Sequence, residues 1–360
     1  MSVKTFMVMA GGTGGHIFPA LAVAQALQAR GHKVIWLGSE GAMETRLVPQ
    51  YGIHLETLAI KGVRGNGWKR KLMLPLTLAK TVQTARHIIQ KFHVDEVIGF
   101  GGFVTFPGGV AAKLMGVPVI VHEQNAVPGL SNKVLSRWAR RVLYAFPGVF
   151  ADADGLVGNP VRADIAALPA PETRFEGRNG ALTVLVVGGS LGADALNQVV
   201  PKALSLLPAE QRPSITHQSG RNKLAALQAR YEEVGVTAHC VEFIDDMVSA
   251  YRDADLVVCR AGALTIAELT AAGVGAVLVP YPHAVDDHQT VNAQFMVKAG
   301  AAILMPQTTL NAEYLADTLR ELNRGQCLLM AKKARQLAMP NSAEEVATIA
   351  LTTLNEYSGN

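Results

Sequence analysis

The 360-residue sequence predicts an α/β protein of two doubly wound parallel-sheet (Rossmann-like) domains facing a cleft. Three observations predict it. Apolar β-type runs alternate with helical patterns along nearly the whole chain. One stretch without strand pattern divides that alternation into two series. Each series opens with the same unit of strand, glycine loop and helix, "VMAGGTGGH" and "VVGGSLGAD". In the first series "KTFMVMA", "KVIWLG", "HLETLAI", "VDEVIGF", "VPVIVHE" and "RVLYAF" read as strands, apolar enough for a sheet covered on both faces. The second runs through "ALTVLVVGGS", "SITHQSG", "AHCVEFI", "DLVVCRAG", "GAVLVPYP" and "AAILMP". Between them "VGNPVRADIAALPAPETRFEGRNGA", rich in Pro, Gly and Ala, is the expected linker. The domains are expected at 1–160 and 161–340. A helix from Ser342 to Tyr357 lies in the remaining segment, 341–360, and is free to pack back on the first domain.

Composition sets the class. With 49% hydrophobic and 17% charged residues the chain reads as a globular protein, long enough for two cores. Three cysteines, Cys240, Cys259 and Cys327, form no CxxC pair and suit free thiols in a reducing compartment. "FMVMAGG" is too short for a signal-peptide core, and five glycines and a proline break the uncharged stretch Val97 to Ala112, so a cytoplasmic protein is expected. The net charge of +4 hides an asymmetry. Residues 1–162 carry 18 Lys and Arg against 8 Asp and Glu, a net of +10, and the remainder carries 15 against 21, or −6. One half is therefore suited to an anionic partner: acidic lipid, nucleic acid or a phosphorylated substrate. Nucleic acid is disfavoured, because aromatic residues make up only 6% and no recognition motif is present.

Neither glycine loop meets G-x-G-x-x-G, and no G-x-x-x-x-G-K-[ST] exists, which argues against a dinucleotide enzyme and a P-loop NTPase. Glu40, after the second strand, imitates the ribose-binding acid of an NAD enzyme but lacks the fingerprint. Glycine turns at helix N-termini still suit anions, since bare N–H groups and the helix dipole face the ligand. Four are expected: Gly11 to Gly15, Gly99 to Gly102 (with Gly101 and Gly102 on the acceptor side), Gly188 to Gly192, and Ala261 to Leu264. Two D-x-D triplets, Asp152–Asp154 and Asp253–Asp255, raise the question of a chelated cation. The second precedes its strand, at the wrong end of the sheet, and the first sits just ahead of the linker. No metal and no cofactor are expected.

The segments "GGTGGHIFPALA", "GFGGFVTFPG", "HEQNAVPGLSNK", "VGNPVR", "VVGGSLGA" and "CRAGALTIAELTAAGVGAVLVPYPHAVDDHQTVNA" together closely resemble the MurG family of glycosyltransferases, in the same order over nearly the whole chain. The resemblance implies a GT-B fold and an inverting transfer of N-acetylglucosamine from UDP-GlcNAc to the MurNAc of lipid I, in peptidoglycan synthesis. It also implies peripheral attachment to the cytoplasmic face of the bacterial inner membrane. The partners it implies are UDP-GlcNAc, the lipid I acceptor, anionic lipids and other cell-wall synthesis enzymes. Carried over by position, the donor site takes Thr13, Gly14, Gly15, Asn125, Arg162, Ser190, Ile244, Ala263, Leu264, Thr265, Ile266, Ala267, Glu268 and Gln289. The residue chemistry agrees at several of these. Ser190 follows two glycines at a strand end, where a hydroxyl and bare amides suit a pyrophosphate. Glu268, one turn into its helix, suits a pair of ribose hydroxyls. Ile244 suits a polar ligand only through its backbone, on the uracil edge, and otherwise reads as core.

The transfer needs a base for the acceptor hydroxyl. His16 is the first candidate, since its ordinary pKa near 6.5 suits that work; acceptor-pyrophosphate binding suits it as well, and helix capping is the blander alternative. Glu123, with His122 beside it on the acceptor side, is the second candidate. "WKRKLMLPL", with Trp68, Lys69, Arg70 and Lys71, sets an aromatic and three cations beside apolar residues, as a membrane contact would. A solvated loop leading into a core helix has the same composition. A UDP-GlcNAc 2-epimerase on the same architecture is the alternative function.

Overall fold

The computed structural model describes residues 2–60, 68–151 and 155–358, of which 68–74, 285 and 358 by backbone alone. The chain divides into two units, Met1–Arg162 with Pro340–Asn360, and Ala163–Met339. In the first, β1 (Thr5–Ala10), β2 (Lys33–Ser39), β3 (His54–Leu58), β4 (Glu96–Gly101), β5 (Val119–Glu123) and β6 (Arg141–Tyr144) form one parallel sheet in the order β3-β2-β1-β4-β5-β6. In the second, β7 (Thr183–Val187), β8 (Ser214–Gln218), β9 (His239–Val241), β10 (Leu256–Cys259), β11 (Gly275–Leu278) and β12 (Ala302–Leu304) form another, ordered β12-β11-β10-β7-β8-β9. Each strand falls on one of the twelve apolar runs read from the sequence, with β2 and β4 running one residue past theirs, to Ser39 and Gly101. The two orders are the same: each sheet reverses direction between its first and fourth strands, which makes β1/β4 and β7/β10 the switch points.

Both faces of these sheets are covered. Along β1, Phe6, Val8 and Ala10 pack into one core while Met7 and Met9 pack into the other, all fully buried, which is why the strand reads as a continuous apolar run. The same device ties down the amino edge of both sheets. Asp95, just before β4, accepts the Thr5 N–H at 2.7 Å, and Asp255, just before β10, accepts that of Thr183 at 2.9 Å. Asp255 is fully buried and also pairs with Arg178 (2.6 Å) and Arg324 (3.2 Å), so this half of the second D-x-D triplet is structural. The first triplet lies outside the described residues.

The helix Ser342–Ser358 returns to the first unit, where Val346, Ala347, Ala350 and Leu354 enter the core beside Ala20 and Leu21 of the helix Gly14–Ala29. Arg30–Glu344 and Arg141–Glu356, both 2.7 Å, and a bond from the Tyr357 hydroxyl to the Gly116 carbonyl hold it at the rim. Its three glutamates change the charge balance. Counted by folded unit, the first carries 18 basic and 11 acidic residues (+7) and the second 15 and 18 (−3), a smaller contrast than the division at residue 162 suggests.

Candidate active site

The helices that follow β1, β4, β7 and β10 begin at Gly14, Thr105, Asp194 and Ala263, and none has a side-chain cap. Thr13 is the N-cap residue of the first, yet its hydroxyl makes no capping bond. Three other helices are capped by a side chain, Asp246, Asn311 or Asn323, while those opening at Leu130, Pro171, Leu224 and His288 also lack a side-chain cap. What sets the four apart is position: their orphan N–H groups stand at the carboxyl ends of the switch-point strands, where the fold places ligands and where a helix dipole favours an anion.

In the first unit the loops after β1 and β4 are pressed together. Gly101 and Gly102 have φ of +106° and +87°, and a side chain at Gly102 would strike the Gly11 carbonyl, 2.5 Å from its Cβ. The buried Thr105 hydroxyl lies 2.7 Å from the Gly101 carbonyl and 3.2 Å from that of Met9, joining the two strand ends. From the other side the fully buried Glu44 carboxylate accepts N–H bonds from Ser39 (2.8 Å) and Gly12 (3.2 Å). His16 stands in the first helical turn, half-buried, with Nδ1 3.4 Å from the Gly11 carbonyl and its ring against Gly101. If Nδ1 carries the proton toward that carbonyl, Nε2 holds the basic lone pair. Gly14 and Gly15 are half-buried beside it, as are Asn125 and Arg162 further along.

Two expectations need correction. His122 is fully buried rather than on an acceptor surface. Its Nε2 lies 2.9 Å from the Gly158 carbonyl and its Nδ1 3.0 Å from the Gln124 amide, and burial pushes its pKa down to about 4. Neutral at physiological pH, it ties β5 to the start of the linker. Glu123 is also buried, and both its oxygens are engaged: Oε1 by the Asn125 N–H (2.9 Å) and side-chain amide (3.3 Å), Oε2 by the Gly129 N–H (3.0 Å) and Asn132 amide (2.9 Å). A carboxylate held by four donors braces the loop it sits under and has no oxygen left open to a substrate hydroxyl. Asn125 is bound into that brace. For Trp68, Lys69, Arg70 and Lys71 the backbone opens the helix Trp68–Phe92, and their side chains lie outside the described residues. Further along it Leu76 is 63% exposed; Phe103, in the loop after β4, is 47% exposed and Leu130, at the start of the helix Leu130–Leu135, 74%.

In the second unit the turn after β7 is equally tight. Gly189 and Gly192 have positive φ, and a side chain at Gly192 would run into the Ser219 carbonyl. Ser190 and Leu191 are exposed at its tip. The side chain of Gln218, at the end of β8 and 3% exposed, donates to the Gly189 carbonyl at 3.0 Å and accepts the Ile244 N–H at 3.1 Å. Ile244 is half-buried in the loop after β9, which removes its reading as core. Of the run 263–268, Ala263 and Ile266 turn their side chains into the interior, so only backbone groups of these two can serve a ligand, while Leu264, Thr265, Ala267 and Glu268 are partly exposed. Glu268 accepts a bond from the Tyr251 hydroxyl at 3.0 Å, which orients its carboxylate. Gln289 uses its carbonyl to accept the N–H groups of Tyr281 (2.9 Å) and Ala261 (3.3 Å), joining the loops after β10 and β11 and keeping its NH2 as a donor. Asp286 and Asp287, just before it, hold φ of +53° and +50°, a strain that tends to collect at functional loops.

Sequence reasoning missed Glu44, Thr105, Gln218 and Tyr251. Gln218 had a visible signal: it is a polar residue closing an apolar strand just before "SG". The others had none, since the partners that tie them to the site, Gly12 for Glu44, Met9 for Thr105 and Glu268 for Tyr251, lie 32, 96 and 17 residues away in the chain. No cluster of metal-ligating side chains occurs among the described residues.

Family models for the glycosyltransferase family 28 N-terminal and C-terminal domains match residues 6–144 and 183–348, and the chain belongs to that family. A Neisseria gonorrhoeae relative named UDP-N-acetylglucosamine--N-acetylmuramyl-(pentapeptide) pyrophosphoryl-undecaprenol N-acetylglucosamine transferase is 71% identical over 98% of this chain and 99% of its own. A Ralstonia nicotianae relative of the same name is 54% identical over 96% and 95%. The crystal structure of Acinetobacter baumannii MurG is similar at 45% identity, covering 97% of this chain and 99% of its own, with a TM-score of 0.86. The fold is that of the GT-B glycosyltransferases.

Proposed function

We propose that this chain is the hexosyltransferase that moves N-acetylglucosamine from UDP-GlcNAc to the 4-hydroxyl of MurNAc in undecaprenyl-pyrophosphoryl-MurNAc-pentapeptide (lipid I), giving lipid II. The observation that carries the reading is 71% identity, end to end, with relatives named for this transfer. The 2-epimerase alternative has no such support.

The donor is held by the second unit. Amides of the Gly189–Gly192 turn and of the helix opening at Ala263 receive the pyrophosphate, Glu268 accepts the ribose hydroxyls, the Ile244 main chain meets the uracil, and the Gln289 NH2 donates to the sugar. These fixed dipoles stabilise the negative charge that grows on the departing UDP. On the first unit Thr13, Gly14, Gly15, Asn125 and Arg162 complete the substrate contacts. His16 Nε2 takes the proton of the attacking hydroxyl while the anomeric C–O bond to UDP breaks, with inversion. The His16–Gly11 geometry supports this assignment, and the four bonds on Glu123 argue against the runner-up. Attachment to the cytoplasmic face of the inner membrane is peripheral, through the segment at 68–71 and anionic lipid. The +7 charge of the first unit favours it, and no helix among the described residues is long and apolar enough to cross a membrane.

Labelled UDP-GlcNAc with a soluble lipid I analogue tests the reaction: labelled disaccharide is expected, and epimerised sugar without acceptor would overturn it. Within that assay His16→Ala should lower kcat by about 10²–10⁴ with donor KM little changed. A raised acceptor KM at near-normal kcat would make His16 a binder instead.

A further inference from the structure

We propose that Gln218 is a positioning residue of the donor site: one buried side-chain amide sets the orientation of the pyrophosphate turn and pins the loop that meets the base. The inference rests on the donor-site reading above.

The argument starts at the Gly189–Ser190 peptide. The Gly189 carbonyl is turned inward, accepting the Gly192 N–H at 2.9 Å and the Gln218 Nε2–H at 3.0 Å. In a trans peptide the C=O and the following N–H point in opposite directions, so the Ser190 N–H is directed away from Gln218, outward at the exposed tip of the turn. Gly189, at φ +87°, has no Cβ to hold that plane in place, and both orientations are sterically open to it. Hydrogen bonding therefore decides which way the peptide faces. With the Gln218 donor gone, only the Gly192 N–H still holds that carbonyl inward, and the plane turns over more readily, setting a carbonyl oxygen against the phosphate where an N–H should be. The other end of the same amide, Oε1, accepts the Ile244 N–H at 3.1 Å and so fixes the main chain at the base-binding position.

The amide is held rigidly enough for this work. The preceding residue, His217, lies in a buried chain in which the Tyr231 hydroxyl donates to Nδ1 (2.9 Å) and Nε2–H to Asn197 Oδ1 (3.1 Å), while Asn197 donates to the Ser219 carbonyl (2.9 Å). That chain locks the end of β8 on both sides of Gln218. The bonds of Gln218 itself go to the two ligand loops.

Two substitutions separate the two ends of the amide. Gln218→Met keeps the volume and removes both bonds. Gln218→Glu keeps an acceptor for Ile244 and removes the donor to Gly189. The probes are UDP, UMP and CDP, titrated calorimetrically into the full chain, with cooperative thermal unfolding as the check on folding. In Gln218→Met, the preference for UDP over UMP and the preference for UDP over CDP should each fall about tenfold. In Gln218→Glu the preference over CDP should return toward the native value while that over UMP stays low. A folded Gln218→Met with both ratios unchanged would overturn the inference, as would a Gln218→Glu that fails to recover base discrimination. Should Gln218→Met not fold, the split between the two ratios in Gln218→Glu decides alone. If the native chain binds UDP and neither ratio responds, only this inference falls; if the native chain binds no UDP, the donor-site reading falls with it.

Discussion

Glu96, the first residue of β4, is fully buried, and neither carboxyl oxygen has a hydrogen-bond partner among the described residues. Burial pushes its pKa up to about 9 from the ordinary 4.5; the Arg141 charge opposes that shift and Asp95 adds to it. Between those two values the unfolded chain ionises this group and the folded chain does not. Its stabilising contribution is therefore fully present below about pH 4.5 and is lost as pH rises toward about 9, at roughly 1.4 kcal/mol per unit. By pH 7 the loss is about 3 kcal/mol, and at pH 5 it is under about 1 kcal/mol. Glu96→Gln has the shape of the protonated acid and does not titrate, so its stability relative to the native chain should rise by about 2–3 kcal/mol between pH 5 and pH 7. Any cost of burying the amide itself is independent of pH and drops out of that difference. The assay is urea unfolding followed by tryptophan fluorescence at several pH values. Trp36, Trp68 and Trp138 are the only tryptophans and all belong to the first unit, so the signal reports the domain that contains Glu96. Parallel stability curves for the two proteins across pH 5–8 would refute the reasoning.

Other outcomes follow from the site and its supports. Glu268→Gln keeps the bond with Tyr251 but removes the carboxylate charge, and donor KM should rise roughly 10- to 100-fold for a loss of about 1.5–3 kcal/mol. A native donor KM in that variant would remove Glu268 from the ribose. Asp255→Asn leaves Arg178 and Arg324 facing an uncharged group and should destabilise the second unit by about 3 kcal/mol, read by circular dichroism on heating; a change under about 1 kcal/mol would show the clamp to be dispensable. Lys69→Glu/Arg70→Glu/Lys71→Glu should abolish sedimentation with anionic vesicles, at about 1 kcal/mol for each cation lost, and equal sedimentation would exclude that segment as the contact.

The twelve strands were legible because strands buried on both faces must be apolar throughout, and the glycine turns were legible because glycine alone tolerates the φ of +87° to +106° found at Gly101, Gly102 and Gly189. The family, too, could be read from long contiguous motifs. Hydrogen-bond partnership could not. Glu44 braces Gly12 from 32 residues away, Gln218 reaches Gly189 across 29 and Ile244 across 26, and nothing local in the chain marks those pairs. The same limit explains His122 and Glu123. As residue types at a strand end they look like catalytic groups, and only the packed structure reveals a histidine sealed against Gly158 and a carboxylate already holding four donors. The last helix is the plainest case. Its apolar stripe required some core to bury it, but which core was decided only when the chain folded and set Tyr357 against Gly116, 241 residues earlier. Periodicity and backbone freedom are local properties and are written in the sequence; burial and hydrogen bonding depend on what the fold brings near, and only the tertiary structure decides them.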